Sequence, residues 1–299
     1  MKNVILFNYN LNAQELMVVE GENYSFYIDY DKFYMVKVER PKEDIEEIKK
    51  IIETYPKDFH KVVINRFSTI YTSFEGSEYI LLKLNGPEHG ELNLNDILSM
   101  QKMYEAKSTS LNRTNWGKLW GDKVDYLEYQ VSELATPHKI ISGSFSYYVG
   151  LAENAIEYFN LLDASGAKTY VSRRRLKSPE YMCDYINPLE LVVDYRVRDI
   201  AGYLKAEFFD GGEVLKEIDI MVDKDFLTPL EYNLLFCRLL YPSYYFDVMQ
   251  RVLEGGRDEN DLLYYIERVY DYEKFLNEVY RRFSKKSSMI KIEWLIKTS

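Results

Sequence analysis

The chain has 299 residues, 46% of them hydrophobic, which is enough to bury a core in one large domain or in two lobes. Its formal net charge of −10 argues against non-specific nucleic-acid binding, which needs a basic surface to displace counterions. Two cysteines and three scattered histidines give neither a disulfide framework nor a histidine-based zinc site.

The chain contains no apolar run of about 18 residues, so we expect no transmembrane helix. Its N-terminal apolar patch is short and lacks a small-residue cleavage site, so we expect no signal peptide and a cytoplasmic protein. Tyrosine is abundant, at 28 residues. A tyrosine buries its ring while its hydroxyl stays hydrated, which favours ordinary packing over a stacking or carbohydrate-binding role.

The first third of the chain predicts a small sheet with one helix. Short segments rich in β-branched and aromatic residues favour strands, and the polar residues between them fit hairpin turns. After Pro41, isoleucines at three- and four-residue steps favour an amphipathic helix. The predicted elements are strands at 15–19, 24–28, 33–38, 62–71 and 79–84, and a helix at 41–55.

From about residue 94 the pattern is mainly helical. Thr228-Pro229 is typical of a helix start, because threonine caps the helix and proline suits its first turn. Gly255-Gly256 is typical of a helix stop. The pattern predicts helices at 94–104, 116–134, 147–162, 228–240, 242–253 and 258–283, a strand at 169–172 and another helix opening around Asp199.

Six segments are similar in amino-acid sequence to segments of kinase-like proteins. They are FYMVKV (33–38), WGKLWGDKVDYLE (116–128), SFSYYVGLAENAIEYF (144–159), DYRVRDIAGYLK (194–205), LLYPSYYFD (239–247) and IEWLIK (292–297). On these segments the chain resembles the aminoglycoside phosphotransferase and choline kinase superfamily, nearest to its CotS/YutH spore-coat-associated group.

This resemblance implies an α+β, bilobal, protein-kinase-like fold. A small antiparallel β-sheet N-lobe with one helix would span 1–86, and a mainly helical C-lobe would span 87–299. The resemblance also implies ATP and Mg²⁺ as cofactors, a nucleotide or phosphorylated small molecule as ligand, and a protein partner in the spore coat.

Phosphoryl transfer needs a lysine that holds phosphates, paired with a glutamate on the next helix. On the resemblance, Lys37 matches the lysine position, and an ordinary exposed strand lysine is the alternative. Glu46, Glu47 and Glu53 are candidates for its partner, and Glu53 has a suitable separation along the chain. The glycine-rich phosphate loop is absent, since the first hairpin contains only Gly21.

The catalytic loop of the family departs from its pattern here. Arg173 takes the histidine slot, Arg174 follows it, and Arg175 takes the slot of the catalytic aspartate. An arginine cannot accept a proton from a substrate hydroxyl, because its guanidinium stays charged. Glu180 stands where the metal-binding asparagine would be, and its carboxylate could ligate magnesium.

Two aspartates compete for the remaining metal-binding position. Asp184 in YMCDY and Asp194 in LVVDY each follow a strand-like start, and a helix cap or surface carboxylate is the alternative for both. Asp199 resembles the aspartate that bonds backbone in this superfamily, so we expect a structural role for it.

The three arginines favour salt bridges to nearby carboxylates, among them Glu180, Asp184 and Asp194, over an anion site. The leading hypothesis is therefore a kinase-like protein without phosphotransferase activity, a pseudokinase, which binds a ligand or acts as a scaffold. An atypical Mg-ATP-dependent small-molecule phosphotransferase is the first alternative. An interaction protein without a nucleotide pocket is the second.

Overall fold

The structure is a computed structural model that describes residues 1–86, 90–101, 104–176 and 181–297. The chain forms two compact units. The first comprises Met1–Leu92, Ser108–Leu111 and Pro179–Leu191, and the second comprises Asn93–Lys107, Asn112–Ser178 and Val192–Ser299. None of the described helices is long and apolar enough to cross a membrane.

The first unit is an antiparallel sheet with two longer helices and one short helix. Strands β1, β2, β3, β6 and β4 lie side by side in that order, and β5 also pairs with β6. The elements are α1 (Lys2–Tyr9), β1 (Met17–Val19), β2 (Asn23–Ile28), β3 (Asp31–Lys37), α2 (Lys42–Thr54), β4 (Lys61–Val63), β5 (Tyr71–Phe74), β6 (Ser77–Lys83) and, later in the chain, α6 (Met182–Tyr185).

The register of this sheet places apolar side chains on one face. Phe26 lies opposite Phe33, and Met35 lies opposite Leu81. All four are buried in one cluster with Ile5 of α1. Alternation along each strand therefore builds the core of the first unit, and α1 covers it.

The second unit is mainly helical and contains a two-stranded sheet. Helix α9 packs against α5, α7 and α12. The elements are α3 (Leu94–Gln101), α4 (Trp116–Leu134), α5 (Lys139–Asn160), β7 (Thr169–Arg173), β8 (Leu191–Tyr195), α7 (Val197–Phe209), α8 (Val214–Asp223), α9 (Pro229–Leu240), α10 (Ser243–Leu253), α11 (Leu263–Ile266), α12 (Val269–Phe283) and α13 (Glu293–Lys297). Strands β7 and β8 pair with each other, although β8 begins at Leu191 of the first unit.

These elements confirm the predicted fold class, an antiparallel sheet followed by a mainly helical region. Helix α4 matches its predicted bounds, and α9 begins at Pro229 after a Thr228 cap as predicted. Helix α5 begins at Lys139, eight residues before the predicted start. The pattern does not predict helices α1, α6, α8 and α13.

The prediction of a single strand at 62–71 is wrong. Strand β4 ends at Val63, and the buried Asn65 then organises a turn. Its Oδ1 accepts from the backbone N–H groups of Phe67 and Thr69, at 2.9 and 3.2 Å. An asparagine that bonds nearby backbone in this way favours a turn over a strand.

The prediction of a single helix at 258–283 is also wrong. Asp258 caps a 3₁₀ turn by accepting from the N–H of Asn260 at 2.8 Å, and α11 ends three residues before α12 begins. Tyr265 and Tyr272, on either side of this break, both pack on Phe209, with ring centroids 5.0 and 5.4 Å away. Packing on one aromatic ring fixes the direction of both segments.

Candidate functional site

The predicted catalytic loop begins at the end of β7. Ser172 and Arg173 are buried, whereas Arg174 and Arg175 are exposed. The backbone N–H of Arg173 donates to Asp199 Oδ1 at 2.9 Å. Asp199 lies in the first turn of α7 and is only 1% exposed. It holds the backbone of this segment, which confirms the structural role expected for it.

Asp194 lies in β8 and is completely buried. Its carboxylate accepts from Trp116 Nε1 at 2.9 and 3.1 Å, and from the backbone N–H of Tyr195 at 2.7 Å. Arg198 Nη1 donates to its Oδ2 at 2.6 Å. A buried charge is stable only when it is paired and hydrogen-bonded, and this carboxylate meets both conditions with groups of the protein.

Arg198 connects Asp194 to the predicted catalytic loop. Its Nε donates to the carbonyl of Arg173 at 2.6 Å, and its Nη2 donates to the carbonyl of Arg174 at 2.8 Å. Because Asp194 and Arg198 are four residues apart, the turn from β8 into α7 brings the two side chains together. One guanidinium therefore holds the carboxylate and two backbone carbonyls of the loop at once.

A second arginine lies beside the same carboxylate. Arg238 Nη1 is 3.9 Å from Asp194 Oδ2, and the Arg238 guanidinium carbon lies 4.9 Å from the ring centroid of Trp116. Burial, reinforced by the charge of Arg198, lowers the pKa of Arg238 to about 10, and Asp194 partly opposes this shift. Arg238 is therefore still charged at neutral pH and adds to the positive potential around Asp194.

Arg175, which the family pattern predicts in the slot of the catalytic aspartate, pairs with a carboxylate of α10. Its Nη2 lies 2.9 Å from Asp247 Oδ1 of α10, in a partly exposed ion pair. Lys123 of α4 donates a hydrogen bond to Gln250, which lies in α10 together with Asp247. Burial lowers the pKa of Lys123, Asp247 raises it, and Arg175 lowers it further, so the three charges are close neighbours.

Lys37 and Glu53 lie in the first unit. Lys37 ends β3, and its ammonium forms an ion pair with Glu22, a bond that raises the pKa of Lys37. The backbone N–H of Lys37 donates to Asn23 Oδ1 at 2.8 Å. Glu53 lies in the last turn of α2, is exposed and lines a cavity beside that helix. Lys37 is thus paired with Glu22, which lies in the turn between β1 and β2.

Asp184 also belongs to the first unit, whereas Asp194 and the three arginines belong to the second. Asp184 is exposed on α6. Its charge, after the effect of burial, helps to raise the pKa of Tyr34 and of Cys183. Glu180 lies outside the described residues. Over the ranges that the structure describes, no group of three or more histidine, cysteine, aspartate or glutamate side chains could hold a metal ion.

Sequence reasoning missed the partners of these residues. The sequence suggests Asp194 as a metal ligand, whereas the structure pairs it with Trp116, Arg198 and Arg238. Two of the three stand in segments that carry the family resemblance, and a buried tryptophan N–H needs an acceptor. The need of the Trp116 N–H for an acceptor is the sequence feature that could have predicted its bond to Asp194.

The fold of the chain is that of the kinase-like phosphotransferases. An aminoglycoside phosphotransferase from Alicyclobacillus acidocaldarius is similar in structure, with a TM-score of 0.64 and 11% identity, over 93% of this chain and 94% of that chain. A spectinomycin phosphotransferase, APH(9)-Ia, in complex with ADP and spectinomycin, has a TM-score of 0.57 and 10% identity, over 95% of this chain and 92% of that chain. At these identities the likeness establishes the fold alone.

The family follows from the sequence. The model of the family described as "Spore coat putative kinase YutH" matches residues 2–279, and the chain belongs to this family. The chain is also 30% identical over 227 residues to the endospore coat-associated protein YutH of Bacillus subtilis (strain 168). That match covers 66% of this chain and spans 65% of the length of the relative.

Proposed function

We propose that this protein is a pseudokinase: a kinase-like protein without phosphotransferase activity that serves the spore coat as a ligand-binding or scaffolding component. The observation that carries the proposal is the position of the Arg198 guanidinium. It bonds the carboxylate of Asp194 and the backbone of the loop that would hold the catalytic aspartate.

Magnesium binding at Asp194 would require this arrangement to break. Mg²⁺ demands near-octahedral oxygen ligands and keeps several waters, whereas Asp194 is 0% exposed and already accepts from Trp116, Tyr195 and Arg198. Displacing Arg198 would leave a largely buried cation without its partner, which is strongly unfavourable. Asp194 therefore acts as the counter-ion of Arg198 and not as a metal ligand.

The residue that would accept the proton of the substrate hydroxyl is missing as well. Arg175 stands where the base would be, and a guanidinium has no acceptor atom and stays protonated. Its guanidinium is paired with the carboxylate of Asp247 at 2.9 Å. Neither the metal-binding function nor the base function is present at these slots.

Spore association is supported by the family. The Bacillus subtilis relative is described as an endospore coat-associated protein. We carry that role to this chain, with a coat protein as its partner and the cytoplasm of the spore-forming cell as the place where it is made. Nucleotide binding is a separate part of the same proposal, since a pseudokinase can bind a nucleotide without transferring phosphate.

Phosphate transfer tests the proposal directly. Purified protein is incubated with radiolabelled Mg-ATP and a panel of aminoglycosides and amino alcohols, beside the variant Arg175→Asp and the matched control Arg174→Asp. We expect no labelled product from the wild-type protein or from Arg174→Asp. Transfer by the wild type would overturn the proposal, and an Arg175→Asp variant that transfers no more than the wild type would also show that position 175 is not where the catalytic base is missing.

Asp247 favours one alternative function, an atypical Mg-ATP-dependent phosphotransferase. Its carboxylate is partly exposed and lies beside the slot of the catalytic base, so it could accept a proton in place of the absent aspartate. Asp184, which is exposed, or Asp194 would then hold the metal. This alternative predicts Mg-dependent ATP binding that weakens strongly in Lys37→Ala, and transfer that disappears in Asp247→Asn.

A further inference from the structure

The first unit contains a cavity of about 380 Å³ between α2 and the sheet. Small-molecule sites have volumes in this range, with mostly apolar walls and a few polar groups that fix the orientation of the ligand. Six isoleucines line the cavity: Ile45, Ile48, Ile52, Ile64, Ile70 and Ile80. Four of them are at most 9% exposed, so the inner wall is a fixed part of the core.

The mouth of the cavity is less buried and carries charge. Ile52 is half-buried and Ile64 is 61% exposed, so the hydrocarbon wall continues outward to solvent. Lys49, Glu53 and Lys61 line the same opening and are all exposed. Within the described part of the chain, none of the three forms a salt bridge, so two cations and one anion face the opening.

We infer that this cavity binds a medium-chain aliphatic carboxylate, with its hydrocarbon tail among the isoleucines and its head group at Lys49 and Lys61. A flexible alkyl chain fits a wall made of aliphatic side chains, and its burial is favourable in proportion to the area removed from water. The excess of one positive charge at the mouth favours an anionic head over a cationic one. This site is independent of the pseudokinase proposal, because it lies wholly in the first unit and uses none of the arginines.

The direct test is a titration of the full chain, labelled at isoleucine methyl groups, with hexanoate, octanoate and decanoate below their micelle concentrations. We expect saturable shifts of the signals from the six cavity isoleucines and none from Ile200 and Ile218, which are buried in the second unit. Each added methylene should tighten binding about fourfold, until the cavity is full. Shifts that never saturate, or that affect both units equally, would overturn the inference.

Head-group specificity is tested with variants and ligand analogues. The double variant Lys49→Glu/Lys61→Glu should weaken octanoate binding about tenfold, since two favourable contacts become repulsive. The control Lys57→Glu/Lys224→Glu makes the same change of net charge at exposed lysines outside the cavity and should bind like the wild type. An alkyltrimethylammonium ion that binds more tightly than the carboxylate of equal chain length would contradict the assigned charge.

Variants that block the cavity provide a third test of the proposed site. Ile52→Trp places a large ring at the half-buried part of the wall and should abolish the saturable shifts. Ile64 is largely exposed, so Ile64→Trp serves as a second blocking variant that perturbs folding less. Full octanoate affinity in a folded blocking variant would place the ligand elsewhere.

Discussion

Asp194 is the buried carboxylate at the centre of the candidate site in the second unit. Its carboxylate has no exposure and accepts hydrogen bonds from Arg198, Trp116 and the Tyr195 N–H. The Arg175–Asp247 pair is chemically similar but more than half exposed on the arginine side. The two pairs differ in the cost of losing one partner. In the buried pair the remaining charge stays in a medium that solvates it poorly, whereas water can solvate the remaining charge of the exposed pair.

Two matched substitutions measure this difference. Arg198→Met should lower the free energy of unfolding by about 3–5 kcal/mol, because Asp194 would stay buried without its nearest cation. Arg175→Met should lower it by less than about 1 kcal/mol, since water can solvate Asp247. Denaturant unfolding of both variants gives the two values. A loss below about 1 kcal/mol for Arg198→Met would mean that the buried pair does not hold the loop.

Lys205 adds a buried cation that the sequence analysis did not identify. It lies inside α7 at 7% exposure, and its Nζ donates to the carbonyl of Tyr241 at 2.6 Å. Burial, followed by the charge of Arg238, lowers the pKa of Lys205 well below its usual value, and Asp247 opposes the shift. Between the lowered folded pKa and the unfolded pKa near 10.4, the unfolded chain binds more protons, so stability rises with pH.

Lys205→Met should therefore be more stable than the wild type at about pH 7, and its advantage should shrink as the pH rises to about 9.5. The change is at most about 1.4 kcal/mol per pH unit, since one proton is involved. Denaturant unfolding of both proteins across this range checks it, and Cys237 and the tyrosines cancel because both proteins contain them. An advantage that stays constant with pH would show that Lys205 titrates normally in the folded protein.

At the scale of elements, α9 shows how local sequence and tertiary contacts act together. Thr228 and Glu231 form a reciprocal capping box at its start, and Pro229 occupies its first position. Glu231 also forms a largely buried ion pair with Arg196, at 2.6 Å, immediately before α7. The helix start is therefore specified twice, once by its own residues and once by its neighbour.

Thr228→Ala should lower the free energy of unfolding by about 1 kcal/mol, because it removes the acceptor for the Glu231 N–H. Ser284→Ala is the control, since its exposed hydroxyl donates to the Tyr280 carbonyl at the end of α12, and the change should stay within about 0.5 kcal/mol. Thermal and denaturant unfolding give both values. Equal effects of the two substitutions would show that the cap contributes nothing specific.

The elements also show which parts of the fold the sequence could specify. Helix α9 was predictable because threonine, proline and glutamate act within one turn of each other. The end of β4 was not predictable, because the residues that follow it have strand propensity. The turn there depends on the buried hydrogen bonds that Asn65 makes to the backbone of Phe67 and Thr69. The break before α12 has no glycine or proline, and it follows from packing on Phe209, which is distant in sequence.

The candidate site divides in the same way. The family pattern predicted the position of the arginine segment and the structural role of Asp199, because these depend on chain order. It could not predict that Arg198 and Trp116 engage Asp194, since those contacts depend on the turn into α7 and on a helix 78 residues earlier. The roles of Lys37, Glu53, Asp184 and Glu180 remain predictions.

Over the whole molecule, buried tyrosine is the feature that most affects the response to pH. Burial raises the pKa of Tyr245 to about 12, and it raises the pKa of a larger set above the usual value near 10. That set is Tyr148, Tyr158, Tyr203, Tyr241, Tyr244 and Tyr272. Their raised pKa values contribute stability that is fully present below pH 10 and is lost as the pH rises through the folded values.

We expect alkaline unfolding in which these tyrosines ionise together with the loss of helical circular dichroism, because only the unfolded chain releases their protons readily. Ultraviolet absorbance of tyrosinate, recorded with circular dichroism, tests this, and the chain unfolded in guanidinium gives the reference titration near pH 10. Ionisation of all 28 tyrosines near pH 10 with an intact helical signal would contradict the burial described above.

The most direct test of the central claim, that Arg198 and not a metal ion engages Asp194, is the effect of Mg²⁺ on stabilisation by ATP. Unfolding is followed with ATP alone, with Mg-ATP and with Mg²⁺ alone, for the wild type and for Arg174→Asp as a control. We predict that Mg²⁺ adds nothing to whatever effect ATP has. Stabilisation that appears only with Mg-ATP, approaches roughly 2.7 kcal/mol at a hundred times its dissociation constant and persists in Asp184→Asn would contradict the claim.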